Sequence, residues 1–591
     1  MPGLAIILSS AGRDANESDL NRMVSTMRHE PFYTSGTYVD EDLGVYAGWV
    51  NLPGSYAASL PLRSANGNQL LFFHGEHLAN GEANGLTDAR AVLRLFETLG
   101  LEALPRLNGW FHGLLVDVRM REAVVFNDRY GMQRLHVYHD PAGAVFAAEA
   151  KALLAVRPQL RKLDPQSVGE FLSCGCVLEN RSLFAGLGTL PAGSVRQYSR
   201  GSLTKQYQYF DRARWESQPP MQAPEFHAAV CEALPRAVER CLGTTELSVA
   251  VSLTGGYDTR LVMACLNRSR QVLPSYTFGG MYRECFDVKI ARKVAQLCGC
   301  KHQVFELGQS FLNSFPSLAE KTVNLSDGCL GVTNAYELYL NQFARQVATV
   351  RLTGSYGSEV MRGARAFKAV WPASGLIHPD FQPQLASAVE RFGGATPGHS
   401  VSFSVFKQAP WYYYNRLAIE QSQVVIRTPF MDNDFVGLFY RRPAVLNDSR
   451  ALARSVIARL APELAALPTD TGNSSYWRQQ WSQFLFKADY CYKSGMPQWL
   501  EQVHYFLGPF QPEKLVIGAH RFAHSRVWFR NELAPYVREI LLDSRTTGRG
   551  YFNRSFIEEM VRRHIKGDRN YTDDIERALT LELTCRRFLD A

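Results

Sequence analysis

The chain has 591 residues, 46% of them hydrophobic and 20% charged, an ordinary globular composition with apolar material for more than one core. Its 64 Lys and Arg against 56 Asp and Glu leave a charge of +8, spread thinly and without the basic block or aromatic-basic stripe of a nucleic-acid binder. No run of about 18 apolar residues exists, which excludes a helical membrane span, and the opening MPGLAIILSSAG lacks the basic residue that precedes the apolar stretch of a secretory signal. Eleven cysteines stand at irregular spacings, and Cys174/Cys176 and Cys298/Cys300 are C-x-C pairs rather than the C-x-x-C of zinc or redox sites. Reduced thiols in a cytoplasmic protein are the expectation.

The first two hundred residues read as short strands broken at Gly, Asn or Asp: 46–55, 69–76, 109–118 and 123–131. Helical stretches fall near 17–28, 86–99 and 165–173, giving an α+β layer arrangement. Residues 206–224 are polar and proline-bearing and read as a linker. Beyond it, helical patterns at 225–241, 286–298, 333–348 and 449–466 alternate with apolar strands at 247–253, 273–279 and 348–354, the pattern of a parallel sheet covered by helices. After about 470 the chain is helical and rich in aromatics.

One turn carries the strongest local signal. In SVAVSLTGGYDTRLVMACLNR (248–268) a β-branched strand ends at Leu253, Thr254-Gly255-Gly256 turns the chain, and an amphipathic helix starts near Asp258. Two glycines let the backbone approach a ligand and present N–H groups, and the helix start adds partial positive charge. Thr254 and Thr259 offer hydroxyls, and Asp258 offers a carboxylate for magnesium. Two readings stay open on this segment alone: a pyrophosphate cradle, or a tight β–α turn. It is neither a GxxxxGK[ST] loop nor a GxGxxG fingerprint.

The segment resembles the S-G-G-x-D-S motif of the pyrophosphate-loop superfamily, and more specifically the class B asparagine synthetases with their β-lactam synthetase and lasso-peptide cyclase relatives. Further motifs carry the resemblance: Phe278-Gly279 followed by Asp287-Val-Lys-Ile-Ala-Arg, Leu352-Thr353-Gly354 leading to Glu359, and Arg427-Thr-Pro429-Phe430-Met-Asp432. In the N-terminal half, Asn108-Gly109-Trp-Phe111, Asn127-Asp128-Arg129-Tyr-Gly131, Glu149-Ala-Lys151 and Leu183 to Gly193 follow the spacing of the family's glutaminase-like domain. The resemblance implies an Ntn-hydrolase-like αββα glutaminase-type domain (1–205), the linker (206–224), and a parallel-sheet synthetase domain with a helical C-terminal extension (225–591). It implies ATP and Mg2+ as cofactors, with nucleotide at Leu253, Thr254, Gly255, Gly256, Asp258, Thr259, Phe278, Gly279 and Gly354, and metal at Asp258 and Glu359.

The chain also departs from that pattern. Pro2 occupies the place of the family's N-terminal cysteine nucleophile, and a proline has no side chain able to form a thioester. The glutamine-binding R-G-P-D and N-G-E motifs are replaced by His29-Glu30-Pro31-Phe32 and His74-Gly75-Glu76. Glu359 supplies the second metal carboxylate if one residue is inserted after Gly354. Tyr356 falls where asparagine synthetases carry glutamate and β-lactam synthetases carry tyrosine; it is a candidate proton acceptor for an attacking amine, or ordinary packing. Lys493 is the candidate lysine for charge on the reacting acyl-phosphate, with Lys487 as alternative. His112, His302 and His564 stand alone and read as packed or surface side chains, and Trp411 to Tyr414 read as core or pocket lining.

The resulting expectation is an AMP-forming carbon–nitrogen ligase without working glutaminase. It would act on a small-molecule or peptide carboxylate, by intramolecular lactam or macrolactam formation, with a precursor-peptide protease as a candidate partner. An ammonia-using asparagine synthetase and a non-catalytic nucleotide-binding relative are the alternatives.

Overall fold

The computed structural model describes the chain apart from residues 1, 56–59, 80–88, 244–246, 397, 447–448, 470–475, 508–511 and 591. The N-terminal half is two stacked antiparallel sheets, each of six strands. One runs Gly188–Thr189, His136–Asp140, Gly143–Ala147, Gly3–Ser9, Val45–Asn51, Thr34–Asp40; the other runs Ser202–Gln208, Ser194–Ser199, Glu122–Asn127, Phe111–Asp117, Gln69–Gly75, Leu62–Arg63. Alternation explains why these strands look continuously apolar. In Gly3–Ser9, Leu4, Ile6 and Leu8 point between the sheets, while Ala5 and Ile7 face the core that takes in Leu20, Met23 and Met27 of helix Arg13–Met27. In Gln69–Gly75, Leu70 and Phe72 join the inter-sheet core, and Leu71 and Phe73 meet Val92, Leu93 and Phe96 of helix Ala89–Leu99. The result is a helix–sheet–sheet–helix sandwich.

The segment read as a linker is packed. The strand Ser202–Gln208 enters it, a short helix Ala213–Glu216 follows, and the next helix starts at Ala223. Phe210 and Trp215 cover the Arg129 guanidinium at 4.4 and 5.0 Å.

The second half is built on a five-stranded parallel sheet in the order His302–Glu306, Ser275–Gly279, Val249–Ser252, Val350–Leu352, Val425–Arg427. Val249–Ser252 comes first in the chain. Later strands add on one side and then on the other, so the strand order reverses between Val249–Ser252 and Val350–Leu352. Loops leaving the carboxyl ends of those two strands diverge and open a crevice, the usual ligand position in such sheets.

The two halves share one hydrophobic core that runs from Tyr33, Leu153 and Phe171 to Phe311, Leu338, Trp528 and Ala578. Buried charge also joins them. Lys151 bridges Glu149 (2.8 Å) and Asp327 (3.2 Å), and Arg427 binds Glu76 through two hydrogen bonds of 2.8 and 2.6 Å. A buried guanidinium removed from such a pair leaves a carboxylate uncompensated. Arg427→Ala is therefore expected to cost about 3 kcal/mol in urea unfolding, with Arg427→Ala/Glu76→Leu recovering part of it; an unchanged midpoint would show the joint to be dispensable.

Candidate active site

The turn after Val249–Ser252 is held from behind. The Leu253 N–H donates to the Tyr276 carbonyl (2.7 Å) and its own carbonyl accepts from the Thr277 hydroxyl (3.0 Å). Within the loop, the Thr254 N–H donates to the Thr259 hydroxyl at 3.3 Å, and the two threonine hydroxyls lie 3.1 Å apart. The Gly255 N–H donates to Asp287 at 2.7 Å, so this amide already binds an anionic oxygen. Gly256 stands at φ −76°, open to any residue, and a Cβ there would meet the Thr254 hydroxyl at no closer than 3.6 Å. The fold does not demand glycine at this point; its effect is to leave the loop face bare, as close approach of a ligand requires. The helix Tyr257–Arg268 then starts with its N–H groups toward the same face.

The second turn follows Val350–Leu352, and here glycine is demanded by packing. A Cβ at Gly354 would lie 2.5 Å from the Thr259 nitrogen, and one at Gly357 would lie 2.8 Å from Asp258 Cγ. This contact brings Asp258 and Glu359 onto one cavity of about 210 Å³, which Gly354, Tyr356, Tyr413 and Arg416 also line. The Ser358 hydroxyl donates to Asp258 (2.6 Å) and the Tyr413 hydroxyl to Glu359 (2.6 Å). Burial pushes the Glu359 carboxyl above its ordinary range, the Tyr413 bond opposes that rise, and the neighbouring Asp258 charge adds to it. The donor set fits magnesium. No group of three or more His, Cys, Asp or Glu is placed to hold a metal among the described residues. The remaining ligands of an octahedral ion bound by two carboxylates then have to be phosphate oxygens and water.

Of the other candidate residues, Tyr356 lines the cavity and the rest lie off it. Tyr356 faces the cavity at φ +70°, a strained position for a non-glycine residue, between the rings of Trp110 (5.7 Å) and Tyr413 (5.4 Å). Burial, with Glu420 and Glu359 nearby, pushes its phenol well above the ordinary value, against a role as a free phenolate base. Phe278 packs on Tyr276 at 5.5 Å with the Arg351 guanidinium 5.3 Å from its ring, and Gly279 abuts Glu306; neither lines the cavity. Lys493 sits in the wide π-helical turn Cys491–Gly495, also off the cavity lining. Burial and then Arg521 lower its pKa, Glu576 and Asp573 oppose that, and Arg416, which does line the cavity, adds to the lowering. Lys487 is exposed.

Several contributors had no readable signature in the sequence. Arg416 pairs with Glu337 (2.8 Å) and Glu420 (3.1 Å) to form the cavity's charged wall. Arg260, fully buried, donates to the Gly255 carbonyl (3.2 Å) and to the carbonyls of Leu467 (2.8 Å) and Pro468 (2.7 Å), tying the loop to a distant segment. Tyr413 lay inside an aromatic run read only as core or lining; its bond to Glu359 depends on the turn of that run.

A second cavity of about 60 Å³ lies between the halves, lined by Pro2, His74, Glu76, Trp110, Ile426 and Arg427 among others, and no cysteine lines it. Trp110 forms part of its wall and meets Tyr356 edge-on, and Ile426 borders both cavities. Residues read as replacing the glutamine-binding motifs now join the halves: Glu30 accepts from Gln423 (3.0 Å), the Arg345 guanidinium lies 3.8 Å from the Phe32 ring, and Glu76 holds Arg427.

A carboxyl whose folded pKa is raised favours its protonated form, so its contribution to stability is lost as pH rises through the folded value. The unliganded protein is expected to lose thermal stability over that range, with Mg2+ and ATP restoring it. Glu359→Gln should match or exceed wild-type stability without ligand, lose the stabilisation by Mg2+–ATP, and show less of the pH dependence. Thermal scans at several pH values check this; equal ligand stabilisation of the variant would contradict it.

Residues 1–210 match the glutamine amidotransferase domain family, and residues 229–502 and 519–586 match the asparagine synthase family. A Methanocaldococcus jannaschii protein named for a glutamine-hydrolysing asparagine synthetase is 23% identical over 293 residues, 48% of this chain and 55% of that protein. Asparagine synthetase [glutamine-hydrolyzing] 2 of Arabidopsis thaliana is 24% identical over 229 residues, 37% of this chain and 34% of its own length. The matched stretch thus spans between a third and about half of these relatives. The glutamine phosphoribosylpyrophosphate amidotransferase of B. subtilis aligns over 52% of this chain and 92% of that one at 11% identity and a TM-score of 0.25, too slight a likeness to carry an argument. With family matches over both halves, on an antiparallel sandwich followed by a parallel sheet, this chain belongs to the asparagine synthase family of amidotransferase-linked ligases.

Proposed function

We propose that the protein is an ATP-dependent ligase that forms AMP and pyrophosphate, activates a substrate carboxylate, and joins it to an amine of the same small-molecule or peptide substrate without glutaminase activity of its own. The observation that carries this reading is the meeting of Asp258 and Glu359 on one cavity beside a glycine-lined helix start. The substrate carboxylate attacks the α-phosphorus of ATP, the bond to the diphosphate breaks, and the amides from Gly256 to Asp258 receive the departing charge. Magnesium, held by Asp258 and Glu359, would screen the phosphate charge. The amine then attacks the acyl carbon, AMP leaves, and the amine's proton passes through Tyr356 toward Glu420, the phenol serving as relay and not as free phenolate. Lys493, whose pKa the Arg416 charge helps to lower, is the cation proposed for the acyl-phosphate once substrate is bound.

Pro2 in the inter-half cavity supports nitrogen supply from the substrate rather than from glutamine. A specific observation favours a second reading, a nucleotide-binding relative without turnover: Asp287 already occupies the Gly255 amide and would compete with a diphosphate.

Carboxylate-dependent ATP–pyrophosphate exchange is the deciding assay. Asp258→Ala is expected to reduce it about a hundredfold or more, whereas Tyr356→Phe should keep exchange and lose amide formation by about a hundredfold. Glutamine should yield no glutamate. Nucleotide binding without exchange under any carboxylate would favour the second reading, and asparagine made from aspartate and ammonium would replace ring closure with an ammonia-using synthetase.

A further inference from the structure

The helix Gln498–Leu507 is built inside out. Its buried side carries Glu501 and His504: Arg526 donates to Glu501 at 2.8 and 2.6 Å, and His504 bonds Glu513 at 3.2 Å. Its outer side carries Trp499, Val503 and Phe506, at the i, i+4, i+7 spacing of one helix face, and these are 67%, 46% and 77% exposed. The preceding helix, Tyr476–Tyr490, buries Leu485 and repeats the inversion in part. Asp489 is fully buried and accepts from the amides of Gly518, His520 and Arg521, while Trp481 and Phe484 stack at 5.5 Å on the outside. Leu515 is also exposed. Water-facing helices bury their apolar stripe, so large apolar side chains outward over buried ion pairs mark a face adapted to an apolar surrounding. Neither cavity described above is lined by these residues.

Charge around the face selects the occupant. Lys487 and Lys514 are exposed, Lys566 lies 5.5 Å from the Tyr505 ring, and Arg283 donates to the Leu515 carbonyl at 3.1 Å. The neighbouring acids are paired: Glu513 with His504, Glu284 with Arg292 and Asp568 with Arg563. A second copy of the same face would set these cations against one another. Aromatic side chains bordered by lysines suit the headgroup boundary of an anionic bilayer, where the rings enter the apolar edge and the ammonium groups meet phosphates.

We infer that the helices Tyr476–Tyr490 and Gln498–Leu507 dock the protein peripherally on an anionic lipid surface. Since Lys493 lies in the segment that joins these helices, docking would hold that lysine beside the membrane.

The test is co-sedimentation of the full chain with vesicles of phosphatidylcholine alone or of equimolar phosphatidylglycerol and phosphatidylcholine. The wild type should bind the anionic vesicles, weakly bind the neutral ones, and be released by salt. Trp499→Ser/Phe506→Ser should lower partitioning about tenfold or more with unchanged circular dichroism, and Lys487→Glu/Lys514→Glu should weaken binding to the anionic vesicles with the apolar face left intact. Absence of binding, binding by both variants equal to that of the wild type, equal binding to neutral vesicles, or a wild-type dimer dissolved by Trp499→Ser/Phe506→Ser in sedimentation equilibrium would overturn the inference.

Discussion

The candidate site depends on one close approach. Gly354 and Gly357 lack the atoms that would strike Thr259 and Asp258, so the loop after Val350–Leu352 can lie against the start of helix Tyr257–Arg268. Only with that contact do Asp258 and Glu359, a hundred and one positions apart, face a common cavity. Parallel strand order supplies the crevice, and glycine supplies the distance. Burial and the Asp258 charge both disfavour the ionised Glu359 carboxyl, an arrangement that a divalent cation would relieve.

The glycines of the first turn have a different physical role from those of the second. At Gly256 nothing in the chain competes for the space of a side chain, and the bare backbone is available to a ligand. At Gly354 and Gly357 the chain itself fills it. Arg260 and Asp287 hold the first turn from either side, through the Gly255 carbonyl and the Gly255 amide. Rigid support of this kind is what a preorganised electrostatic site requires.

Much of this was legible in the sequence because it rests on local chemistry. The strand–glycine–helix order placed the first turn, and the short apolar strands placed both sheets, since alternation and burial leave a period or a run that survives without structure. The pairing of Asp258 with Glu359 needed the family resemblance, because strand order is not written in local pattern. Arg416, Tyr413 and Arg260 were not legible at all: each acts through partners distant in the chain, such as Arg260 on Leu467 and Pro468. The packing of the segment 206–224 is hidden for a related reason. Its polarity is real, yet Phe210 and Trp215 pack on Arg129, which follows the strand Glu122–Asn127 some eighty positions earlier in the chain. The N-terminal half likewise acts at a distance, through Trp110 against Tyr356 and Glu76 against Arg427.

The central claim is that Asp258 and Glu359 jointly hold one divalent cation together with the nucleotide. Electron paramagnetic resonance of Mn2+ with a non-hydrolysable ATP analogue tests it most directly. The wild type should show a bound-ion spectrum that requires nucleotide and disappears in both Asp258→Asn and Glu359→Gln. A spectrum that survives either substitution unchanged, or forms equally well without nucleotide, would contradict the account.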